Sequence, residues 1–206
     1  MDRSIGVRNT SFLSWRLAAL ASLGFLAACA TTAPPPPPEV PSFIDAGRDP
    51  IALYVDDVVV EELYIPPLKA PNKEHEFQVS PAAIARDWAD GRLQAAGEEG
   101  MVRVRILDAA VVEEPLPRTG GFFQRFSDTP DRRLQARLHV EASYDGPYSA
   151  RVIEIVVTGQ VDINQYANLN VTEAQYLRML KQMSKDFDTA LSARVSKNFS
   201  ELVLEP

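Results

Sequence analysis

Hydrophobic and polar positions alternate most regularly between Arg132 and Tyr144. Four apolar residues in this stretch share one side of an extended chain: Leu134, Ala136, Leu138 and Val140. Because successive side chains of a strand point to opposite faces, the pattern predicts a strand with one buried face. Asp145-Gly146-Pro147 predicts a tight turn. Tyr148 to Ile163 then predicts the partner strand of a hairpin.

Two earlier stretches also favour strands. Met101 to Glu114 alternates Val102, Val104 and Ile106 with arginines, which predicts a half-buried strand. Ile51 to Leu63 is rich in valine, isoleucine and leucine and contains neither glycine nor proline, so it predicts a single strand. The three prolines of the following segment predict a loop from Tyr64 to Phe77.

The helical periodicity appears twice. Val79-Ser80-Pro81 predicts a helix start, with Ser80 as the cap, and Gly97 and Gly100 predict its end. Thr172 with Gln175 predicts a capping box that begins a long C-terminal helix. That helix carries one apolar stripe along steps of three and four residues: Tyr176, Leu180, Met183, Phe187, Ala190 and Arg194, with Leu177, Leu191 and Val195 beside it.

The resulting element order is β-α-β-β-β-α. Three consecutive strands with short links favour an antiparallel meander, and the two helices need a sheet on which to bury their apolar stripes. We therefore expect a two-layer α+β fold with about four mainly antiparallel strands and both helices on one face. Residues 51–206 are expected to form a single globular domain, a usual size for one hydrophobic core.

The N-terminus has the layout of a secretory signal. Arg3, Arg8 and Arg16 precede an apolar run from Leu17 to Leu26, which is shorter than the roughly 20 residues of a spanning helix. Small residues follow the run. Residues 1–28 are therefore expected to be a signal peptide that is removed.

Leu26-Ala27-Ala28-Cys29 resembles the lipobox of bacterial lipoproteins, in which an aliphatic and two small residues precede the cysteine. The resemblance implies that acyl groups such as palmitate are attached at Cys29 and tether the protein to a membrane. Ala30, by resemblance to the sorting rule of this class, implies the outer membrane and a domain facing the periplasm, with inner-membrane retention left open. An ordinary signal cut that leaves Cys29 unmodified is the alternative. Residues 29–50, which include Pro34 to Pro38, are expected to be an extended linker.

The net charge limits the classes of partner, and the cysteine count limits how the domain can be stabilised. The formal charge is −7, and removal of three arginines and Asp2 with the signal would bring it to −9. This acidity argues against a nucleic-acid partner, since phosphate binding needs a basic surface. Cys29 is the only cysteine, so the domain is expected to fold on its hydrophobic core without disulfides.

The candidate chemistry of the domain is sparse. His75 and His139 do not stand in a metal-ligand spacing, and adjacent carboxylates such as Asp56-Asp57 or Glu61-Glu62 would point to opposite faces of a strand. These patterns predict no catalytic residue, no metal and no cofactor. We expect a protein that is not an enzyme.

Two features are candidate binding sites. The loop from Pro115 to Asp131 carries Phe122, Phe123 and Phe126 beside two glycines, which suits insertion into a lipid surface or a partner's groove; burial of the three rings is the alternative. The second feature is a set of arginines predicted on the polar face of the sheet: Arg103, Arg105, Arg133 and Arg137. They could receive an anionic lipid or an acidic partner, and a solvated face balanced by Glu141 and Glu154 is the alternative.

An acylated cysteine, a short linker and this element order are similar to the small envelope lipoproteins, such as the lipopolysaccharide-assembly lipoprotein and the auxiliary lipoproteins of lipid-trafficking ABC transporters. Ala30-Thr31-Thr32 departs from the aromatic and proline usual behind the cysteine of the assembly lipoprotein. The resemblance implies a noncatalytic component of envelope assembly or lipid trafficking that binds an envelope protein. A module that holds an acyl chain between helices and sheet is the alternative.

Overall fold

The computed structural model describes residues 42–43, 48–117, 129–147 and 150–204, all within the compact unit Val40–Pro206. The elements are β1 (Ile51–Leu53), β2 (Asp57–Glu62), a 3-10 helix (Glu74–Glu76), α1 (Ala82–Arg92), β3 (Leu93–Ala95), β4 (Met101–Asp108), β5 (Val111–Pro115), β6 (Pro130–Asp145), β7 (Arg151–Asn164) and α2 (Leu169–Asn198).

The main sheet is organised around β6. One edge of β6 pairs antiparallel with β4 through its C-terminal half and with β5 through its N-terminal half, and the other edge pairs antiparallel with β7. At the far side, β2 runs parallel to β4. Together β4 and β5 occupy one strand position, so the sheet is four strands wide and mainly antiparallel. The predicted α+β class and meander are confirmed.

The core lies between this sheet and the two helices. The alternation predicted for β6 is correct, since Leu134, Ala136, Leu138 and Val140 are all buried. The α2 stripe is buried at Tyr176, Leu180, Met183, Phe187, Leu191 and Val195. Trp88 of α1 meets Phe187 of α2 edge to face, with 5.8 Å between ring centroids. Both helices therefore bury their apolar faces in one layer, as the sequence predicts.

Two predicted single strands are interrupted. The stretch Ile51 to Leu63 becomes β1 and β2, and β1 pairs parallel with β3 in a separate two-stranded sheet. The stretch Met101 to Glu114 becomes β4 and β5, because Oδ1 of Asp108 accepts the backbone N–H of Ala110 at 3.1 Å. An aspartate that bonds the backbone two residues ahead makes a local turn, which breaks the strand.

The helix ends also differ from the prediction. The N-cap of α2 is Asn168, whose side chain accepts the N–H of Val171 at 2.9 Å, and Thr172 is buried within the helix. Helix α1 has Pro81 as its N-cap, without a side-chain cap from Ser80, and ends at Arg92 where the chain becomes extended. Its end is therefore set by the pairing of β3 with β1.

Gly97 has a packing role instead of the predicted helix-ending one. Its N–H donates to the carbonyl of Val55 at 2.9 Å. A Cβ at this position would lie 2.6 Å from both the carbonyl carbon of Tyr54 and the nitrogen of Val55. The close approach of two backbones therefore requires glycine.

None of the helices in the described residues combines the length and the apolar character that crossing a membrane requires.

Candidate functional site

The four arginines predicted on the polar face all lie on the outer face of the sheet, and each contacts a carboxylate of a neighbouring segment. Nε of Arg103 lies 3.0 Å from Oε1 of Glu61, and Arg105 pairs with Glu141. The other two pairs are Arg133 with Asp162, at 2.5 and 2.9 Å, and Arg137 with Asp108, at 3.1 Å. The outer face therefore carries rows of opposite charges that neutralise each other.

These arginines do not form one compact cluster. Arg103 stands opposite Ser143 in the β4–β6 register, ten residues along β6 from Arg133. At about 3.3 Å per residue, this separation is roughly 33 Å. The arrangement is a long mixed-charge surface, which we call the outer sheet face. It also carries Val152 and Val156, which are 58% and 46% exposed.

Other predicted sites lie outside the described residues. They are Cys29 in the lipobox and Phe122, Phe123 and Phe126 in the loop. For these four residues the sequence-based expectations stay predictions.

The two histidines are in the described part of the chain, and each lies near a glutamate. Nε2 of His139 is 3.6 Å from Glu154 on the outer sheet face, and Nε2 of His75 is 4.0 Å from Glu76. The described residues contain no group of three or more histidine, cysteine, aspartate or glutamate side chains that could hold a metal ion.

The layer between helices and sheet is filled by side chains where α2 crosses β7. A Cβ placed on Gly159 would come within 2.6 Å of Sδ of Met183 and 2.8 Å of Cγ of Met179. Helix and strand therefore touch directly at this point. An acyl chain could enter here only if α2 moved away from the sheet.

A cavity of about 280 Å³ lies beside this layer, where α1 and α2 meet the segment before β1. We call it the α1–α2 pocket. It is lined by Ser42, Phe43, Arg48, Trp88, Arg92, Lys181, Ser184, Lys185 and Asp188. The helix period explains the lining, because residues 88 and 92 share one face of α1 and residues 181, 184, 185 and 188 share one face of α2.

Asp188 connects the walls of the α1–α2 pocket. Its Oδ1 accepts Nε1 of Trp88 at 2.9 Å, Nε of Arg92 at 3.1 Å and Oγ of Ser192 at 3.1 Å. Its Oδ2 pairs with Arg48. Burial raises the pKa of Asp188, but the hydrogen bonds from Trp88 and Arg92 outweigh it and leave this pKa below its usual range. The carboxylate is therefore held ionised.

Phe43, which precedes β1, is hydrogen-bonded to both helices. The backbone N–H of Phe43 donates to Oδ2 of Asp87 at 2.9 Å, and its carbonyl accepts the hydroxyl of Ser184 at 2.8 Å. These contacts place Phe43 at the pocket wall.

A second buried carboxylate has a structural role. Glu74 accepts the hydroxyl of Tyr64 at 2.9 Å and the N–H of Val111 at 3.0 Å. Burial raises the pKa of Glu74, and the hydrogen bonds outweigh this and lower it overall. Burial, followed by the bond to Glu74, raises the pKa of Tyr64. Glu74 thus joins the loop after β2 to the start of β5.

The sequence-based predictions missed the α1–α2 pocket. Its signals were present as Trp88 and Arg92, four apart, and as Lys181, Lys185 and Asp188 along α2. No local pattern relates Trp88 to Asp188, which are 100 residues apart. The pocket forms only where the two helices pack against each other.

No family model and no curated protein matches the chain. Among solved structures, a minor lipoprotein from Acinetobacter baumannii has 12% identity and a TM-score of 0.36, covering 75% of this chain and 99% of that one. A protein from Xanthomonas campestris assigned to DUF330 has 10% identity and a TM-score of 0.33, covering 70% and 86% respectively. TM-scores below 0.5 do not establish a shared fold, so the function rests on the residues of this chain.

Proposed function

We propose that this protein is a lipoprotein of the bacterial envelope that is tethered through Cys29 to the outer membrane, faces the periplasm and acts by binding a partner instead of by catalysis. The observation that carries the proposal is Leu26-Ala27-Ala28-Cys29, placed directly after a basic and apolar segment. Two or more acyl chains on one cysteine make a stable anchor, whereas one chain binds only marginally.

Labelling of cells with a fatty-acid analogue tests the anchor. The wild type and the control Ala33→Ser are expected to take up label and sediment with membranes, and Cys29→Ser is expected to lose both properties. A wild-type protein that carries an unmodified thiol at Cys29 would contradict the proposal and support an ordinary signal cut.

The membrane of residence has its own test. By resemblance to the lipoprotein sorting rule, Ala30→Asp should move the labelled protein from the outer to the inner membrane on a density gradient. Identical fractionation of the wild type and Ala30→Asp in the inner membrane would contradict the outer-membrane assignment.

The outer sheet face supports a binding role for a protein partner. Each guanidinium there faces a carboxylate, so the surface offers a pattern of paired charges and not an excess of positive charge. An arginine has five N–H donors, so a cross-strand pair leaves donors for acceptors on a partner. Val152 and Val156, on the edge strand β7, add exposed apolar area to the same face. A partner with a complementary pattern of charges and a small apolar patch fits this surface.

A charge exchange can test this surface without breaking an ion pair. The double variant Arg133→Asp with Asp162→Arg keeps one cross-strand pair but reverses its direction. After crosslinking in cells, the wild type is expected to capture an envelope protein and this variant is expected to lose it. The matched control is Lys73→Glu with Glu76→Lys, which exchanges the pair at 2.8 Å beside the 3-10 helix. Equal capture by all three proteins would contradict the role of Arg133.

The phenylalanine loop is a separate part of the proposal. We expect Phe122→Ser with Phe123→Ser to reduce partner capture or membrane-dependent crosslinking, because two large apolar contacts are lost. Phe122→Tyr with Phe123→Tyr is the control, since it keeps the ring area. If the serine variant retains every crosslinked partner, the loop has no binding role.

A further inference from the structure

We propose that the α1–α2 pocket is a binding site for a phosphate monoester. The inference concerns a different part of the molecule from the outer sheet face. It holds whether or not the chain is acylated.

The charge of the lining calls for an anion. Among the described lining residues, Arg48, Arg92, Lys181 and Lys185 are cationic and Asp188 is the one carboxylate, which gives this part of the lining an excess of three positive charges. The whole chain has a formal charge of −7, so this excess is a local feature. A phosphate monoester carries between one and two negative charges at neutral pH, with several strong acceptor oxygens.

Two of the cationic residues, both lysines, destabilise α2 when no anion is bound between them. Lys181 and Lys185 stand four apart on α2, and like charges at this spacing repel each other. Both line the same cavity. An anion held between them would remove the repulsion and gain charge-assisted hydrogen bonds.

Arg92 provides the second, independent observation. Its side chain is only 9% exposed, and its Nη1 is buried without a hydrogen-bond partner, although its Nε donates to Asp188. A buried N–H without an acceptor costs free energy, and a charged one costs more. Asp188 already contacts Trp88, Ser192 and Arg48 in addition to this Nε. Arg92 also lines the cavity, and a guanidinium there is a suitable donor for phosphate oxygens.

The apolar lining residues and the cavity volume indicate which organic group the phosphate carries. Phe43 and Trp88 give the pocket an apolar wall beside its charges. The volume, about 280 Å³, is just below the usual range of small-molecule sites, about 300–1,000 Å³. A phosphate with a short organic group fits this space, either as a soluble ester or as the headgroup of a lipid whose chains stay outside.

Trp88 can report binding directly. The full chain has two tryptophans, and Trp15 lies in the expected signal peptide, so Trp88 is the only indole of the processed protein. We would purify this protein in a non-ionic detergent and titrate it with glycerol 3-phosphate, using sodium chloride to keep the ionic strength constant. A saturable change of Trp88 fluorescence is expected.

The charge dependence is tested with Lys181→Ala plus Lys185→Ala. Both lysines are exposed, so the variant should unfold like the wild type in urea. Its affinity for glycerol 3-phosphate should fall about tenfold or more, the equivalent of about one lost charge-assisted bond. Lys197→Ala is the control, an exposed lysine on the same helix about 18 Å further along, and should change affinity less than about twofold. Equal affinity in the two variants, or no saturable response, would overturn the proposal.

Two further arms define the ligand. Sodium acetate binding as tightly as glycerol 3-phosphate would overturn the assignment to phosphate in favour of a carboxylate. The protein in phosphatidylcholine vesicles, with and without phosphatidic acid, separates the sources. A Trp88 response to phosphatidic acid that Lys181→Ala plus Lys185→Ala loses supports a lipid headgroup, and a response to glycerol 3-phosphate alone supports a soluble ester.

Discussion

Asp188 joins four groups at the place where α1 meets α2: the indole of Trp88, the guanidinium groups of Arg92 and Arg48, and the hydroxyl of Ser192. Its carboxylate is the counter-ion of the buried Arg92. Removing one partner of such a buried ion pair leaves the other charge uncompensated. The stability of this corner of the fold therefore depends on a single side chain.

Asp188→Ala is expected to lower the free energy of unfolding by about 3–5 kcal/mol, because it leaves the charge of Arg92 buried without its partner. Asp186→Ala is the control, since Asp186 is exposed and accepts a bond from Gln182 on the same helix, and should cost less than about 0.5 kcal/mol. Urea denaturation measures both values. Similar costs for the two variants would show that Asp188 does not support the helix contact.

Gly97 gives a second prediction for a single residue. The methyl group of Gly97→Ala would meet backbone atoms of Tyr54 and Val55 at 2.6 Å, and backbone cannot rotate aside as a side chain can. We expect a loss of about 3 kcal/mol, the upper part of the range for overpacking. Gly91→Ala, in the last turn of α1, should instead stabilise by about 0.5–1 kcal/mol through helix propensity. A mild effect of Gly97→Ala in thermal denaturation would contradict the close approach.

At the scale of elements, the start of α2 distinguishes two candidate caps. The sequence predicts Thr172 with Gln175, and the structure uses Asn168, which lengthens the helix by one turn. Thr172 then lies on the buried side, and its hydroxyl has no hydrogen-bond partner. Either residue can cap a helix chemically, so packing of the additional turn decides between them.

The two caps can be separated by paired substitutions. Asn168→Ala should cost about 1 kcal/mol, because the N–H of Val171 loses its acceptor. Thr172→Val should be neutral or stabilising, since it replaces a buried unpaired hydroxyl with a methyl group of the same shape. The opposite ranking in chemical denaturation would restore Thr172 as the cap.

At the scale of the whole molecule, the acidic chain separates its charges into different environments. The outer sheet face balances them in cross-strand pairs, whereas the described lining of the α1–α2 pocket has an excess of positive charge. Three carboxyl groups, Glu74, Asp162 and Asp188, have pKa values below their usual range in the folded protein. The stability of the protein should therefore depend on pH.

The sign of this dependence follows from the lowered pKa values. A carboxyl with a lowered pKa stabilises the fold fully above its unfolded pKa, about 4 for aspartate and glutamate, and loses this contribution as the pH falls further. We expect the free energy of unfolding to be nearly constant between pH 5 and 7, about the range above these values, and to fall below it. Glu74→Gln should be less stable than the wild type at pH 7, and this difference should shrink toward pH 3. A difference that does not vary with pH would show that Glu74 is not the ionised acceptor of Tyr64 and Val111.

Much of the fold follows from periodicity along the chain. The alternation around Leu138 placed β6 and its buried face correctly, and the steps of three and four around Leu180 placed the buried stripe of α2. Arg194, predicted as the last member of that stripe, is instead exposed and donates to the carbonyl of Glu154 on β7. Patterns of period 2 and 3.6 depend only on which side of an element is buried, so they can be interpreted without knowing which elements pack against it.

The sequence by itself determined the α+β class and the amphipathic faces, and it predicts a lipid anchor at Cys29, because each depends on residues within one stretch of chain. Only the tertiary structure decided where Ile51 to Leu63 breaks, that β2 lies parallel to β4, and that the arginines of the outer sheet face are spread apart and paired. The α1–α2 pocket belongs to the same group. Its walls come from positions about 100 residues apart, and contacts at such separation are chosen by packing and charge, which no local pattern records.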